Sequence, residues 1–285
     1  MGRRASPTGH RASPTGHRVR ILVCIKRVPQ TGGRIVLTAD GQEIDTKFLG
    51  FTISPHEECG VEEAVRIIEA QGGESVVLTL GSAAAEEQLR DAMALGIDRA
   101  VLLETDGSEW DPVSTAAVIA DTIKAQEAAG GPFDLVIFGN ESADSGGFQV
   151  GIRVAVALGR PVVNGLKGLT LGSGSMTARR EAAGGGWETY ELPTPAIVGV
   201  KEGLNLPRYP SVPGRLRARK KEVERIAVGA ASAGPAASSG APVGPTKAIL
   251  RLPQESGSQV EILGRGAEAA PAVVDLLQKM GLVAR

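Results

Sequence analysis

Residues 133–159 read "FDLVIFGNESADSGGFQVGIRVAVALG". The first six residues are a short apolar run, long enough for a buried strand. The last ones place apolar residues at helical spacing. Between them the chain passes through Gly139, Glu141, Asp144, Gly146, Gly147 and Gln149. This is a strand, a glycine-rich loop and a helix, and the same unit recurs upstream of it.

Working outward, "VRILVCIK" (19–26) is an apolar strand ending in charge. "SVVLTLG" (75–81) leads into the helical "SAAAEEQLRDAMALG" (82–96), and "AVLLET" (100–105) into "DPVSTAAVIADTIKAQ" (111–126), where Asp111 caps and Pro112 opens the helix. In "SPHEECGVEEAVRIIEAQGG" (54–73), Ser54 is an N-cap, Pro55 the first helical residue and Glu57 the acid three residues after the cap. Val61, Ala64, Val65 and Ile68 fall on one face of that helix, and Gly72–Gly73 stops it. "RIVLTADGQEID" (34–45) reads as a small hairpin turning at Asp40–Gly41. Apolar strands alternating with amphipathic helices predict an α/β fold: a Rossmann-like, mostly parallel sheet with helices on both faces. Ligands of such sheets sit at the carboxyl ends of the strands, where the strand order switches.

After Gly159 the character changes. "VVNGLKGLTL", "SMTARREA", "WETYEL" and "PAIVGV" are strand-like pieces broken by Gly and Pro, which predict antiparallel additions to the sheet. The division expected is an N-terminal extension (1–18, carrying the duplicated heptad "RASPTGH") without stable structure, an α/β domain (19–225), a flexible Ala/Gly/Ser/Pro linker (226–246) and a C-terminal docking arm (247–285). In the arm, "VEILG" (260–264) reads as a strand and "APAVVDLLQKMG" (270–281) as a helix too short to form its own core.

Composition excludes several classes. Formal net charge is −1, so bulk charge points to neither nucleic acid nor a membrane surface. The basic run "RLRARKKEVER" has no interleaved aromatics, which argues against nucleic acid and for a solvated strand or helix at an interface. No apolar run approaches the ~18 residues of a membrane span, and no secretory core follows the N-terminal arginines; a cytoplasmic protein without membrane insertion is expected. Two cysteines and three histidines supply neither a disulfide framework nor a metal site. There is no GxSxG, HExxH, Walker A or GxGxxG motif. Glu62 and Glu63, adjacent on a helix, read as solvated surface, and Cys24 as a small core hydrophobe.

That leaves the loop after "FDLVIF". Gly139, Gly146 and Gly147 let backbone approach a ligand, and the amides of Phe148, Gln149, Val150 and Gly151 open a helix, where free N–H groups attract phosphate. On these grounds alone the loop is either a phosphate site or an ordinary turn.

Five stretches in order resemble one family, the beta subunit of electron transfer flavoprotein: "ILVCIKRVP", "SPHEECGVEEAVRIIE", "ALGIDRAVLL", "GNESADSGGFQVG" and "ARREAAGGGWETYELPTPAIVGVKEGLNLPRYPSV". The resemblance covers about residues 19–225 and the tail helix, and its last block is the most specific. It implies half of a heterodimer, an electron carrier without catalytic residues of its own. FAD is shared with, and held mainly by, an alpha subunit. Electrons come from acyl-CoA dehydrogenases of fatty acid oxidation or related flavin dehydrogenases and pass to a quinone oxidoreductase. This chain would hold a structural AMP. Carried over by position, the nucleotide contacts fall on Cys24, on Ser54, Pro55, His56 and Glu57, on Leu80, and on Asp144, Ser145, Gly146, Gly147, Phe148, Gln149, Val150 and Gly151. Lys201–Tyr209 resembles the family's dehydrogenase-docking loop, with Leu204 as its apolar anchor and Asn205, Arg208 and Tyr209 beside it.

The chain also departs from the family pattern. Ala182 or Ala183 stands at an acidic position, Thr194 replaces Leu, Ser54 stands where Asn is frequent, and Thr31 where some members carry an aromatic residue near the flavin. An electron-bifurcating, NADH-linked branch holds a second FAD in place of AMP and runs D-G-D-T-A-Q-V-G in the loop. Asp144–Gly151 runs D-S-G-G-F-Q-V-G, which keeps the first Asp and Q-V-G but lacks the second Asp and the Thr. That favours AMP. The other alternative is a stand-alone adenine-nucleotide module, which would need neither the "NLPRY" block nor a docking tail.

Overall fold

The computed structural model describes residues 18–32, 35–229, 248–253 and 260–283. Its core is a nine-stranded sheet ordered β11-β5-β4-β1-β6-β10-β7-β8-β9. The strands are β1 (Arg20–Cys24), β4 (Glu74–Gly81), β5 (Arg99–Glu104), β6 (Leu135–Gly139), β7 (Val162–Leu171), β8 (Ser175–Glu181), β9 (Trp187–Pro193), β10 (Ala196–Val200) and β11 (Val223–Ala227). A separate antiparallel ribbon pairs β2 (Val28–Pro29) with β3 (Phe51–Thr52).

All five residues of β1 are buried, because helices cover both faces of the sheet, and its one charged residue, Arg20, is paired with Glu74 at 2.9 Å. Alternate side chains go to opposite faces. Ile21 and Val23 pack under α1 (Pro55–Gln71) and α2 (Glu86–Leu95), while Leu22 and Cys24 pack under α3 (Pro112–Gly130) and α4 (Val150–Leu158). A 3-10 turn, Ala83–Ala85, precedes α2. The helix α5 (Val212–Lys220) lies against α2, where a Cβ on Gly214 would come 2.4 Å from the Ala94 carbonyl oxygen. The basic run thus divides into α5 and the edge strand β11, which pairs with β5 as far as Ala227, two residues past the expected end of the domain. The expectations for residues 1–17 and most of the linker lie outside the described residues.

Two details differ from the sequence reading. β10 inserts between β6 and β7 and runs parallel to both, so antiparallel pairing is confined to β7–β8 and β8–β9, and β8 alone runs against the other strands. "VEILG" forms no strand, and Val260 and Ile262 are each 75% exposed. The hairpin forms as expected, with Leu37 bridged to Ile44 and Gly41 at φ 64°. The start of the arm lies on it, the Leu250 N–H donating to the Gly41 carbonyl at 2.7 Å and Gln42 Nε2 to the Ala248 carbonyl at 2.9 Å. The last helix, α6 (Ala270–Lys279), buries no residue.

Candidate functional site

The strand order switches at β1. The chain goes from β1 to β4 and β5 on one side and returns to β6 on the other. A crevice therefore opens over the carboxyl ends of β1 and β6, where the expected site residues gather.

The start of α1 forms one wall. The Ser54 hydroxyl accepts the Glu57 N–H at 3.2 Å, and Glu57 Oε2 accepts the Ser54 N–H at 2.9 Å, a reciprocal capping box. The other carboxylate oxygen of Glu57 accepts the Lys26 N–H at 2.9 Å, which ties the helix to the exit of β1. Burial pushes the Glu57 carboxyl up to about 8, against the opposing pull of the Ser54 and Lys26 bonds. Burial also raises the thiol of Cys24, the last residue of β1, with the Glu57 charge adding to it. Cys24 is thus a closed-in thiol, not a nucleophile. Gly139 must be small here, because a Cβ would meet Glu57 Cγ at 2.7 Å.

The loop from β6 to α4 forms the other wall. Lys26 Nζ reaches Asp144 Oδ2 at 2.6 Å, spanning the crevice from the β1 side. Burial pulls the Asp144 carboxyl up, but the Lys26 charge and its hydrogen bond, with those from Ser142 and the Ser145 amide, hold it below the usual carboxylate range. Ser142 and Ser145 hydroxyls meet at 2.8 Å, and the Gly146 N–H returns to the Ser142 carbonyl at 3.0 Å. Gly146 and Phe148 both have positive φ, 55° and 54°, so the loop turns sharply just before α4. The Phe148 ring is half exposed, and Gly147 faces open space.

Gln149 occupies the N-cap of α4 but turns its amide oxygen toward Arg153, 3.0 Å from Nη2, leaving the helix start without a side-chain cap. First-turn N–H groups at such an end suit an anion. Val150 packs into the core beneath, and Gly151 lies flat on Phe138, whose ring a Cβ would meet at 3.1 Å. The loop thus carries the Lys26 contact at Asp144, permissive backbone at Gly146 and Gly147, and the uncapped start of α4. Leu80 lies at the end of β4, half-buried against the same core. Pro55 is exposed, and the His56 side chain is 17% exposed.

A groove of about 740 Å³ opens beside the crevice rather than over it. It is lined along Val28–Gly32 and Phe48–Gly50 and shares Pro55 and Ala143 with the crevice walls. Thr31, noted above, is on that lining.

The segment expected to dock a partner lies along the outer side of α1. Arg208 makes paired bonds to Glu62 (2.9 and 3.1 Å) and to Glu69 (2.6 and 2.9 Å), and Asn205 Nδ2 donates to the Cys59 carbonyl and to Glu63. Glu62 and Glu63 are consequently buried, which corrects their reading as solvated surface. Leu204 is half-buried and packs against the core, while Leu206 and Tyr209 project, 91% and 96% exposed.

Sequence reasoning missed Lys26, Glu141 and Leu206. Lys26 was visible as the charge ending the first strand; nothing local marked the other two. Among the described residues no cluster of His, Cys, Asp and Glu could hold a metal ion, and no helix is long and apolar enough to cross a membrane.

Residues 44–231 match the family model described as the electron transfer flavoprotein domain. The chain is 34% identical over 210 residues to the electron transfer flavoprotein subunit beta of Bacillus subtilis (strain 168), covering 73% of this chain and 79% of that one. It is 35% identical over 214 residues to the subunit of the same name from Syntrophomonas wolfei, covering 75% and 81%, and 36% identical over 209 residues to that of Mycobacterium leprae, covering 71% and 77%.

Proposed function

The chain belongs to the electron transfer flavoprotein subunit beta family, and from that premise we propose that it is the beta half of an FAD-containing heterodimer that holds an AMP in the crevice over β1 and β6. The family implies an alpha subunit as partner, and the exposed apolar stripe of α6 gives the arm a surface with which to meet it. The flavin supplies the electron chemistry; this chain supplies position and electrostatics. Acyl-CoA or related flavin dehydrogenases would deliver electrons at the segment Lys201–Tyr209, and a quinone oxidoreductase would receive them. A cytoplasmic location goes with this reading.

The observation that carries the nucleotide reading is the Lys26–Asp144 pair across the crevice, on the loop that leads into the uncapped start of α4. The residues fit a nucleotide monophosphate. Lys26 and the first amides of α4 would hold its phosphate, and Gly146 and Gly147 would let the backbone approach. The groove bearing Thr31 is the surface this chain would turn toward the FAD.

Co-expression with an alpha subunit, followed by denaturation and identification of the released nucleotides, tests both parts. One FAD and one AMP per heterodimer is expected. Two FAD would put a flavin in the crevice and favour the bifurcating alternative. A flavin-free monomer indifferent to any alpha subunit would overturn the proposal.

A further inference from the structure

β6 and β10 are neighbours in the sheet, with Gly139 opposite Val200. The loop of the crevice leaves the first strand and the segment 201–209 leaves the second. At their roots they are joined directly, the Asn140 N–H donating to the Val200 carbonyl at 2.8 Å. Two residues beyond each strand end, they are joined again through one side chain from α1. His56 Nδ1 accepts the backbone N–H of Glu202 at 2.8 Å, and its Nε2 lies 3.4 Å from Glu141 Oε1. An Nδ1 that accepts leaves the proton on Nε2, aimed at Glu141. The Glu141 carbonyl is in turn 3.3 Å from the Ser54 hydroxyl that caps α1.

We propose that His56 is a positioning residue that couples occupancy of the crevice to the conformation of the segment 201–209. The inference rests on the reading of the crevice as a nucleotide site. A nucleotide seated between the α1 start and the 139–151 loop fixes Glu141, Glu141 fixes the imidazole, and the imidazole fixes the Glu202 amide at the root of the segment. Past that root the segment is strapped to the same helix by Asn205 and Arg208, so a shift at its root reaches Leu204 and Leu206. Coupling of this kind is reciprocal: whatever rigidifies 201–209 tightens the nucleotide by the same factor.

The test is hydrogen exchange at the Glu202 amide in the full chain, purified with its partner, stripped of nucleotide and then saturated with AMP. Saturation is verified by calorimetry for every variant. AMP is expected to slow exchange at Glu202 by about fivefold, the low end of ordinary coupling strengths, and His56→Phe should exchange at one rate with or without AMP. Glu141→Gln, which leaves the imidazole in place, should reduce the slowing, and it decides the matter if His56→Phe does not fold. AMP bound with no change at Glu202, or a full slowing retained in either variant, overturns the relay. If calorimetry finds no AMP binding at all, the nucleotide reading fails and the relay with it.

Discussion

α1 and α6 carry the same local instructions and meet opposite ends. Each has a proline in its first turn and an apolar stripe, Val61, Ala64, Val65 and Ile68 in one, Val273, Leu276, Leu277 and Met280 in the other. α1 runs 17 residues, opens on a full capping box and buries its stripe on the sheet. α6 runs 10 residues, has no side-chain cap and leaves Val273, Leu276 and Met280 between 38% and 61% exposed. An amphipathic period thus states that a face must be covered, not what covers it. For α1 the cover is this chain, and the helix became the strut between the crevice and the segment Lys201–Tyr209. For α6 the cover is not among the described residues.

The contrast is broken most severely at the exit of α1. Gly73 has φ 135°, and a Cβ there would stand 2.1 Å from the Val19 carbonyl oxygen. That carbonyl accepts the Glu74 N–H where β1 meets β4, so it has nowhere to move. Gly73→Ala should lower stability by about 3 kcal/mol or more in urea unfolding. At the end of α6, Gly281 has φ 73° with nothing within 4 Å of a Cβ, and its alanine variant should leave the main transition in place. Equal losses at the two glycines would erase the distinction between a built-in helix and an appended one.

A milder test uses pH. The Glu57 carboxyl is raised from 4.5 in the unfolded chain to about 8 by burial. Between those values the folded chain binds the proton and the unfolded chain does not. Glu57's contribution is therefore full below about pH 4.5, falls as pH rises, and is gone above about 8. The slope is at most about 1.4 kcal/mol per pH unit, the value for one proton. Glu57→Gln should flatten the decline of stability measured by urea unfolding from pH 5 to 8. Below about pH 4.5, where the wild-type carboxyl is neutral in both states, it should also weaken the fold, since one of two backbone N–H groups loses its acceptor. An unchanged slope would mean the carboxyl is ionised in the fold, with its two N–H donors outweighing burial.

These two sites also show what the sequence could and could not disclose. The capping box was legible because Ser54 and Glu57 are three residues apart, and the parallel sheet because strand and helix periods alternate from Val19 to Gly159. The direction of β10 and β7 was not, since pairing direction leaves no mark on short strands broken by Gly and Pro. Glu62 was misread for the same kind of reason: its partner Arg208 lies 146 residues away, and a helix pattern is blind to that distance. Cys24, the α1 start and the loop from Asp144 to Gly151 come together around one crevice, yet the lysine that spans it read only as the charge ending the first strand. The expected strand at 260–264 had the right composition, but composition names no neighbouring strand to pair with.

The smallest expected effect is the most discriminating for α6. Leu276→Ser removes an apolar side chain that is 38% exposed and sits on a helix with no buried residue. Burying a leucine fully is worth roughly 2 kcal/mol, so a side chain already in water should give up little. The change in unfolding free energy of the chain alone should be under about 0.5 kcal/mol, as for surface positions generally. In the co-expressed heterodimer the same substitution should loosen the complex if, as proposed, the alpha subunit covers the stripe. The two measurements divide the outcomes cleanly. A loss above about 1 kcal/mol in the chain alone would show that α6 finds its cover on its own sheet and behaves like a second α1. No loss in either would show that the stripe meets no one, and the arm would have to be held by Leu250 and Gln42 on the hairpin instead.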